Sequence, residues 1–301
     1  MRSGTASTAI PASTVAKAIC QLVQIASAGS GRGIALDDQK DGEVNKAGSQ
    51  FETFARNMFA QCLGALPKVV DARWESTFSY TGTPGRPPDF MIRNGDAVEV
   101  KKLNRGEGKQ TRGVTIELNS SPPKRSLKLD DPQINKRCRQ AEVWIEKDML
   151  YFVGQVTDEY VEAVWLIDGR CMVASEANYS TLSSKLSDAL KELGGEPTGE
   201  LGRFNDVDPL GVSSLRVRPM WTIKHPRLVF ENQFLPPKPG WFVFNALVSE
   251  LKWDNYPSAE RDAIDALVPH GVVVRKVSTP DPDDENQRQT CVHVAWRIEI
   301  K

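Results

Sequence analysis

The sequence predicts a mixed α/β protein in which a β-sheet carries helices on its faces. Three observations predict it. Apolar residues at helical spacing open the chain, short β-rich runs joined by an Asn-Gly turn follow, and helical and strand-like segments then alternate towards the end.

Val15, Ile19, Leu22 and Ile25 recur at helical spacing, which predicts an amphipathic helix over 13–28. Gly29-Ser30-Gly31-Arg32-Gly33 breaks it and reads as a linker, because it lacks the Lys-Ser/Thr of a phosphate loop. A second helix is predicted over 46–63, with Phe51, Phe54, Ala55, Met58, Phe59 and Cys62 on its apolar side. Three short strands follow, over 74–80, 89–92 and 97–103. Arg93-Asn94-Gly95-Asp96 joins the last two as a tight hairpin turn, since Asn-Gly tolerates positive φ. A helix is predicted over 134–147 after Pro132, central strands over 149–156 and 163–167, and a helix over 176–193. The Pro-rich stretch 235–240 marks the best domain boundary. It divides the chain into 1–235 and a C-terminal α+β extension, 236–301, packed on the same core. The extension holds a short helix over 258–267 and strands over 271–277 and 291–300, joined by the acidic loop 280–286. Trp144, Trp165 and Trp296 read as core rather than as base-stacking platforms.

A chain of 301 residues can bury one substantial core. Its 40% hydrophobic and 26% charged content is that of a soluble globular protein. No apolar run is long enough to span a bilayer, and the first thirty residues lack a secretory pattern, so a cytoplasmic protein without membrane contact is expected. Five scattered cysteines and three scattered histidines argue against a His/Cys metal cluster. Any metal should be a hard cation held by carboxylates. The net charge of -1 excludes a uniformly basic DNA-coating protein. Yet residues 101–139 hold eleven Lys or Arg against four acids, a basic island in an acidic body that suits a grip on a phosphate backbone.

The chemistry is concentrated in Pro88-Asp89 and Glu99-Val100-Lys101. Glu99 and Lys101 are two apart on a strand and therefore share a face, and the hairpin brings Asp89 alongside. Two carboxylates and an ammonium at one sheet edge answer the needs of phosphodiester hydrolysis. Mg²⁺ takes oxygen ligands, so Asp89, Glu99 and the Val100 carbonyl are the expected metal set. Lys101 would hold the attacking water and stabilise the transition-state charge, or accept a proton if its pKa is depressed. Alone, such a short string is also a common surface salt-bridged strand.

The segment 85–102, running Gly85-Arg86-Pro87-Pro88-Asp89 through Glu99-Val100-Lys101-Lys102, resembles the active-site segment of the NgoPII-type restriction endonucleases. Two further stretches resemble the same family: Leu118-Asn119-Ser120-Ser121-Pro122-Pro123-Lys124, and 201–221 with its Leu201-Gly202-Arg203 and Val207-Asp208-Pro209-Leu210. The resemblance covers about 45–230 and implies a PD-(D/E)XK nuclease fold, double-strand DNA cleavage, Mg²⁺ as cofactor, and catalytic positions at Asp89, Glu99 and Lys101. Glu52 also qualifies, because nucleases of this fold often place a carboxylate on the helix before the sheet. The alternative is a surface acid paired with Arg56 one turn away. Lys102, Asn119, Ser120, Ser121, Lys124 and Arg125 are expected to bind DNA, as are Arg203, Arg216 and Arg218, the last two on one strand face. Capped turns and surface salt bridges are the plain alternatives.

The reading expected is a type II restriction endonuclease. It would cut a short palindrome, GGCC by resemblance, as a homodimer that leaves 5′-phosphates, with a cognate methyltransferase encoded nearby. Its competitors are a repair or mobile-element nuclease of the same fold and a catalytically silent DNA-binding module.

Overall fold

In a computed structural model the described residues are 14–28, 34–35, 46–63, 65–83, 85–104, 115–156, 160–198 and 201–299. The glycine-rich stretch 29–33 and three basic residues of the island, Arg105, Lys109 and Arg112, lie outside them.

The chain opens with α1 (Thr14–Ala28), which buries Val15, Ile19 and Leu22, followed by β1 (Ile34–Ala35). Next, α2 (Lys46–Phe59) buries Phe51, Phe54, Ala55 and Met58. It stops short of 63 because the backbone turns at Gln61, whose φ is 54°. The strand expected over 74–80 is mostly helix: α3 (Pro67–Thr77) precedes β2 (Phe78–Tyr80). Pro67 is pre-organised for a first helical turn, and Trp74 packs edge-on to Phe78 while its indole N–H donates to Asn57 at 2.8 Å. The expected hairpin is formed by β3 (Phe90–Ile92) and β4 (Ala97–Asn104), with Asn94 at φ 54° in the turn.

Two unexpected strands come next, β5 (Thr115–Asn119) and β6 (Ser126–Lys128). The helix expected over 134–147 shrinks to α4 (Lys136–Arg139), capped by the Asn135 side chain, and β7 (Glu146–Val156) begins inside its range. Trp144 is buried while Val143 and Ile145 are exposed, an alternation no helix face produces. Then come β8 (Tyr160–Asp168), α5 (Gly169–Met172), α6 (Glu176–Glu192), β9 (Glu196–Pro197), β10 (Gly202–Phe204), β11 (Leu215–Val217), β12 (Trp221–Lys224) and α7 (Pro226–Val229). After the Pro-rich stretch, β13 (Trp241–Ser249), α8 (Glu250–Asp254), α9 (Ser258–Asp265), β14 (Val273–Asp281) and β15 (Asp284–Glu299) complete the chain. The acidic loop expected over 280–286 is instead a tight turn between two long strands.

The main sheet runs β14-β15-β13-β8-β7-β4-β3-β2, with β1 and β6 added to β8 and β7. It is mixed: β13 pairs in parallel with β8 and β4 in parallel with β7, and the other pairs are antiparallel. Residues after the Pro-rich stretch thus lie in the same sheet as the Asp89–Lys101 hairpin. Alternate residues of β7 face two cores. Leu150 and Phe152 pack with Phe51 and α1, whereas Tyr151 and Val153 pack with Trp165 and Ile223. Trp144, Trp165 and Trp296 are buried in these cores. Gly154 makes room for the tip of the Phe51 ring against β7, since a Cβ there would meet the ring at 1.9 Å. Four of the cysteines are buried, and Cys171 and Cys291 meet at 3.4 Å, closer than their scatter in sequence suggests. Among the described residues no helix is long and apolar enough to cross a membrane.

Candidate active site

The β3–β4 hairpin brings Asp89 beside the strand that carries Glu99 and Lys101. The Asp89 N–H donates to the Val98 carbonyl at 3.1 Å, and its Oδ2 accepts from the Val100 N–H at 2.6 Å. The side chain is therefore fixed against the edge of β4. A strand residue directs its N–H and C=O to the same edge, so the Val100 carbonyl opens on the side where Asp89 sits. Two residues apart on β4, Glu99 and Lys101 form an ion pair, Nζ to Oε1 at 2.8 Å, both largely buried. The other carboxylate oxygen, Glu99 Oε2, is buried without a hydrogen-bond partner.

Glu52 approaches from α2. It pairs with Arg56 one turn along, and Arg56 also donates to the Thr81 carbonyl at 3.1 Å and stacks over Trp74 at 5.1 Å. Both readings of Glu52 thus meet in one residue, since its salt bridge to Arg56 lies inside the cleft. Glu52, Asp89, Glu99 and Lys101 all line one cleft of about 730 Å³.

Burial raises the Asp89 pKa well above the usual carboxylate range, and the negative charge of Glu99 pushes it further. Burial likewise raises that of Glu52, against the opposing pull of Arg56. For Lys101, burial works downward but the charges of Glu99 and Asp89 outweigh it, and the ammonium is held above its ordinary value. The depressed lysine required for a general base is not what these neighbours produce. These neighbours favour its ammonium form.

The cluster suits a divalent oxygen-seeking ion. Crowded carboxylates raise one another's proton affinity, and an unpartnered buried oxygen costs free energy unless a cation meets it. Among the described residues no group of three or more His, Cys, Asp or Glu side chains is gathered closely enough to hold an ion alone. A backbone carbonyl and waters would have to complete the shell, as Mg²⁺ commonly accepts.

Of the residues expected to bind DNA, Asn119, Ser120, Ser121 and Arg216 line the same cleft. Lys124 lies in an adjoining crevice beside Glu99, with its ammonium 2.6 Å from Asp131. Arg125 is engaged elsewhere, donating to the Val173 carbonyl and pairing with Asp283 at 2.9 Å. Lys102 follows Lys101 on β4 and by alternation points to the opposite face. Arg203 stands directly opposite Arg216 across β10 and β11. Arg216 lies on β11, and Arg218 follows just past the end of that strand at Val217. The cleft also gathers residues that sequence reasoning passed over: Arg86, Gln133 and, as more than a helix-surface partner, Arg56. Arg86 adjoins Pro87-Pro88-Asp89 and was open to notice there, whereas Gln133 carries no local signal.

The family model of the NgoPII restriction endonuclease matches residues 14–280. The chain is 33% identical over 233 residues to the type II restriction enzyme NgoPII of Neisseria gonorrhoeae, covering 76% of this chain and 82% of that protein. No solved structure matches the chain.

Proposed function

The chain belongs to the NgoPII restriction endonuclease family, and on that footing we propose that it is a Mg²⁺-dependent type II restriction endonuclease with a PD-(D/E)XK core. The observation that carries this reading is the convergence of Asp89, Glu99 and Lys101 in one cleft, with a buried Glu99 oxygen left without a partner. Asp89, Glu99 and the Val100 carbonyl would hold the ion. When bound, Mg²⁺ supplies charge to the phosphoryl group and acidity to water. Lys101 is placed to stabilise the negative charge that grows on the phosphate in the transition state. The Val100 N–H keeps Asp89 oriented, and Arg56 keeps Glu52 in the cleft. Asn119, Ser120, Ser121 and Arg216 would meet the duplex along the same cleft, with Lys102, Lys124, Arg125, Arg203 and Arg218 as outlying contacts.

The described residues of one chain form a single such cluster, so cutting both strands of a palindrome calls for two copies, and a homodimer is the simplest arrangement. The substrate is double-stranded DNA with a short twofold-symmetric site, GGCC by family, cut to leave 5′-phosphates. Plasmid DNA incubated with the protein and Mg²⁺ should give discrete fragments with ligatable 5′-phosphate ends, and EDTA should stop the reaction. A smear, or nicking alone, would count against site-specific double-strand cutting. The family membership favours this reading over a repair nuclease, and a methyltransferase gene beside this one would agree with it.

Gly82 provides a second check on Asp89. It adopts φ +76°, and a Cβ there would lie 2.4 Å from the Asp89 carbonyl oxygen. Gly82→Ala should therefore lose about 1–3 kcal/mol of stability. It should also slow cleavage about tenfold, because the backbone that aims Asp89 must shift. Urea titration and single-turnover cleavage would measure the two effects.

A further inference from the structure

The ribbon formed by β5 and β12 stands apart from the main sheet and runs into the cleft. Its inner face is apolar: Ile116, Leu118 and Ile223 pack into the core that holds Tyr151 and Trp165. On its outer face Thr115, Glu117 and Asn119 are exposed from β5, and Thr222 and Lys224 from β12. Glu117 lies directly opposite Thr222, and Thr115 opposite Lys224. Leu118 and Asn119, at the end of β5, line the cleft with Asp89 and Glu99. Glu117 is within electrostatic reach of Lys101.

The end of the ribbon is held firmly. Gln133 donates through Nε2 to the Ser120 carbonyl at 3.0 Å and accepts from the Ser121 hydroxyl at 2.9 Å. Asn119 itself adopts φ 54°, a left-handed conformation that Asn tolerates better than most residues, next to the register shift between Trp221 and Thr222. A rigid end presents its side chains in one orientation, which reading a pattern requires.

The chemistry of the outer face distinguishes which part of DNA it meets. A surface that grips phosphates is cationic, but here one lysine stands with a carboxylate, an amide and two hydroxyls. A carboxylate repels the backbone, yet it accepts a hydrogen bond from the exocyclic amino group of cytosine, while Asn and Thr can serve base edges as donor or acceptor. The major groove of B-DNA admits a two-stranded β-ribbon. We propose that the β5–β12 ribbon enters the major groove of DNA held at the cleft, where Glu117 and Asn119 read base edges, Glu117 taking the amino group of a cytosine. This assignment rests on the nuclease reading and adds to it the element that selects sequence.

The test compares wild type, Glu117→Gln and Asn119→Ala on a pool of duplexes that carries every single-base change of the wild-type site. Cleavage is followed with Mg²⁺ and selective binding without it. Each variant should lose about tenfold in discrimination at one base pair, a C·G pair for Glu117→Gln. The thermal midpoint should be unmoved for Glu117→Gln, whose side chain is exposed, and slightly lowered for Asn119→Ala, because Ala tolerates φ 54° less well than Asn. Unchanged discrimination overturns the proposal. So does an equal loss of rate on every sequence, which would put Glu117 with the catalytic carboxylates instead. If wild type leaves DNA uncut, the nuclease reading fails, and the binding arm still decides whether the ribbon selects sequence.

Discussion

Lys101→Ala should slow DNA cleavage by about 10²–10⁴-fold under single-turnover conditions, with site-specific binding largely retained. The size of the effect follows from the setting of the ammonium. It lies 2.8 Å from Glu99, and its positive charge acts against the burial and the Glu99 charge that raise the proton affinity of Asp89. Removing it takes away the cation paired with Glu99, beside which the phosphate would be held. Binding is spread over many phosphate and base contacts, so losing one cation from a site this small changes affinity far less than rate. Lys101→Arg should not restore the rate, because a planar guanidinium cannot occupy the position of a compact ammonium. Fluorescence anisotropy on a site-bearing duplex, beside quenched-flow cleavage, separates the two quantities. Equal loss in both would reduce Lys101 to an electrostatic grip, and unchanged cleavage would remove it from the mechanism. A catalytically silent DNA-binding module would show no cleavage for any variant, wild type included.

What the sequence revealed about the site was local. Asn94-Gly95 specifies a tight turn, and the two-residue spacing of Glu99 and Lys101 puts them on one face, so the hairpin and three of its chemical groups could be read in advance. What it concealed was mostly non-local. Gln133 reaches the cleft only because the chain folds back after β6, and Arg216 arrives from a small sheet far along the sequence. The strand Trp241–Ser249 has no local signature in the sequence. It is buried at nearly every position on both faces, so it lacks the alternation that marks a half-exposed strand, and a Pro-rich stretch precedes it. The helix expected over 134–147 failed for the opposite reason. Its polar and apolar residues suit a helix in composition, but Asn135 caps only one turn before Lys147 is drawn into the hairpin.

That last contact leads to the largest expected effect on stability. Lys147 is buried, with Nζ 2.5 Å from Glu142, 3.1 Å from the Ile92 carbonyl and 2.7 Å from the Gly95 carbonyl. Glu142 in turn accepts from the Asn94 N–H at 3.0 Å and from the Ser79 hydroxyl at 3.1 Å. The pair thus clasps the turn between the strand next to Asp89 and the strand of Glu99. Lys147→Met should destabilise the protein by about 3–5 kcal/mol, because it strands a buried carboxylate and two backbone carbonyls. Replacing both partners, with Glu142→Leu beside Lys147→Met, should recover part of that loss, since no buried charge is then left without a partner. The pH dependence gives the sign. Burial alone would raise the Glu142 pKa, but the hydrogen bond from Lys147 and that from Asn94 bring it below the ordinary 4.5. In the wild type its contribution is therefore present above the unfolded value near 4.5 and disappears as pH falls through the lower folded value. In Lys147→Met the cation is gone and burial prevails, so the carboxyl protonates more readily in the folded state and the penalty relaxes in acid. The gap between wild type and variant in urea unfolding should narrow steadily from pH 7 towards pH 4. A gap that stays constant over that range would mean that the Lys147 ammonium acts through the two carbonyls alone and that Glu142 contributes nothing to the clasp.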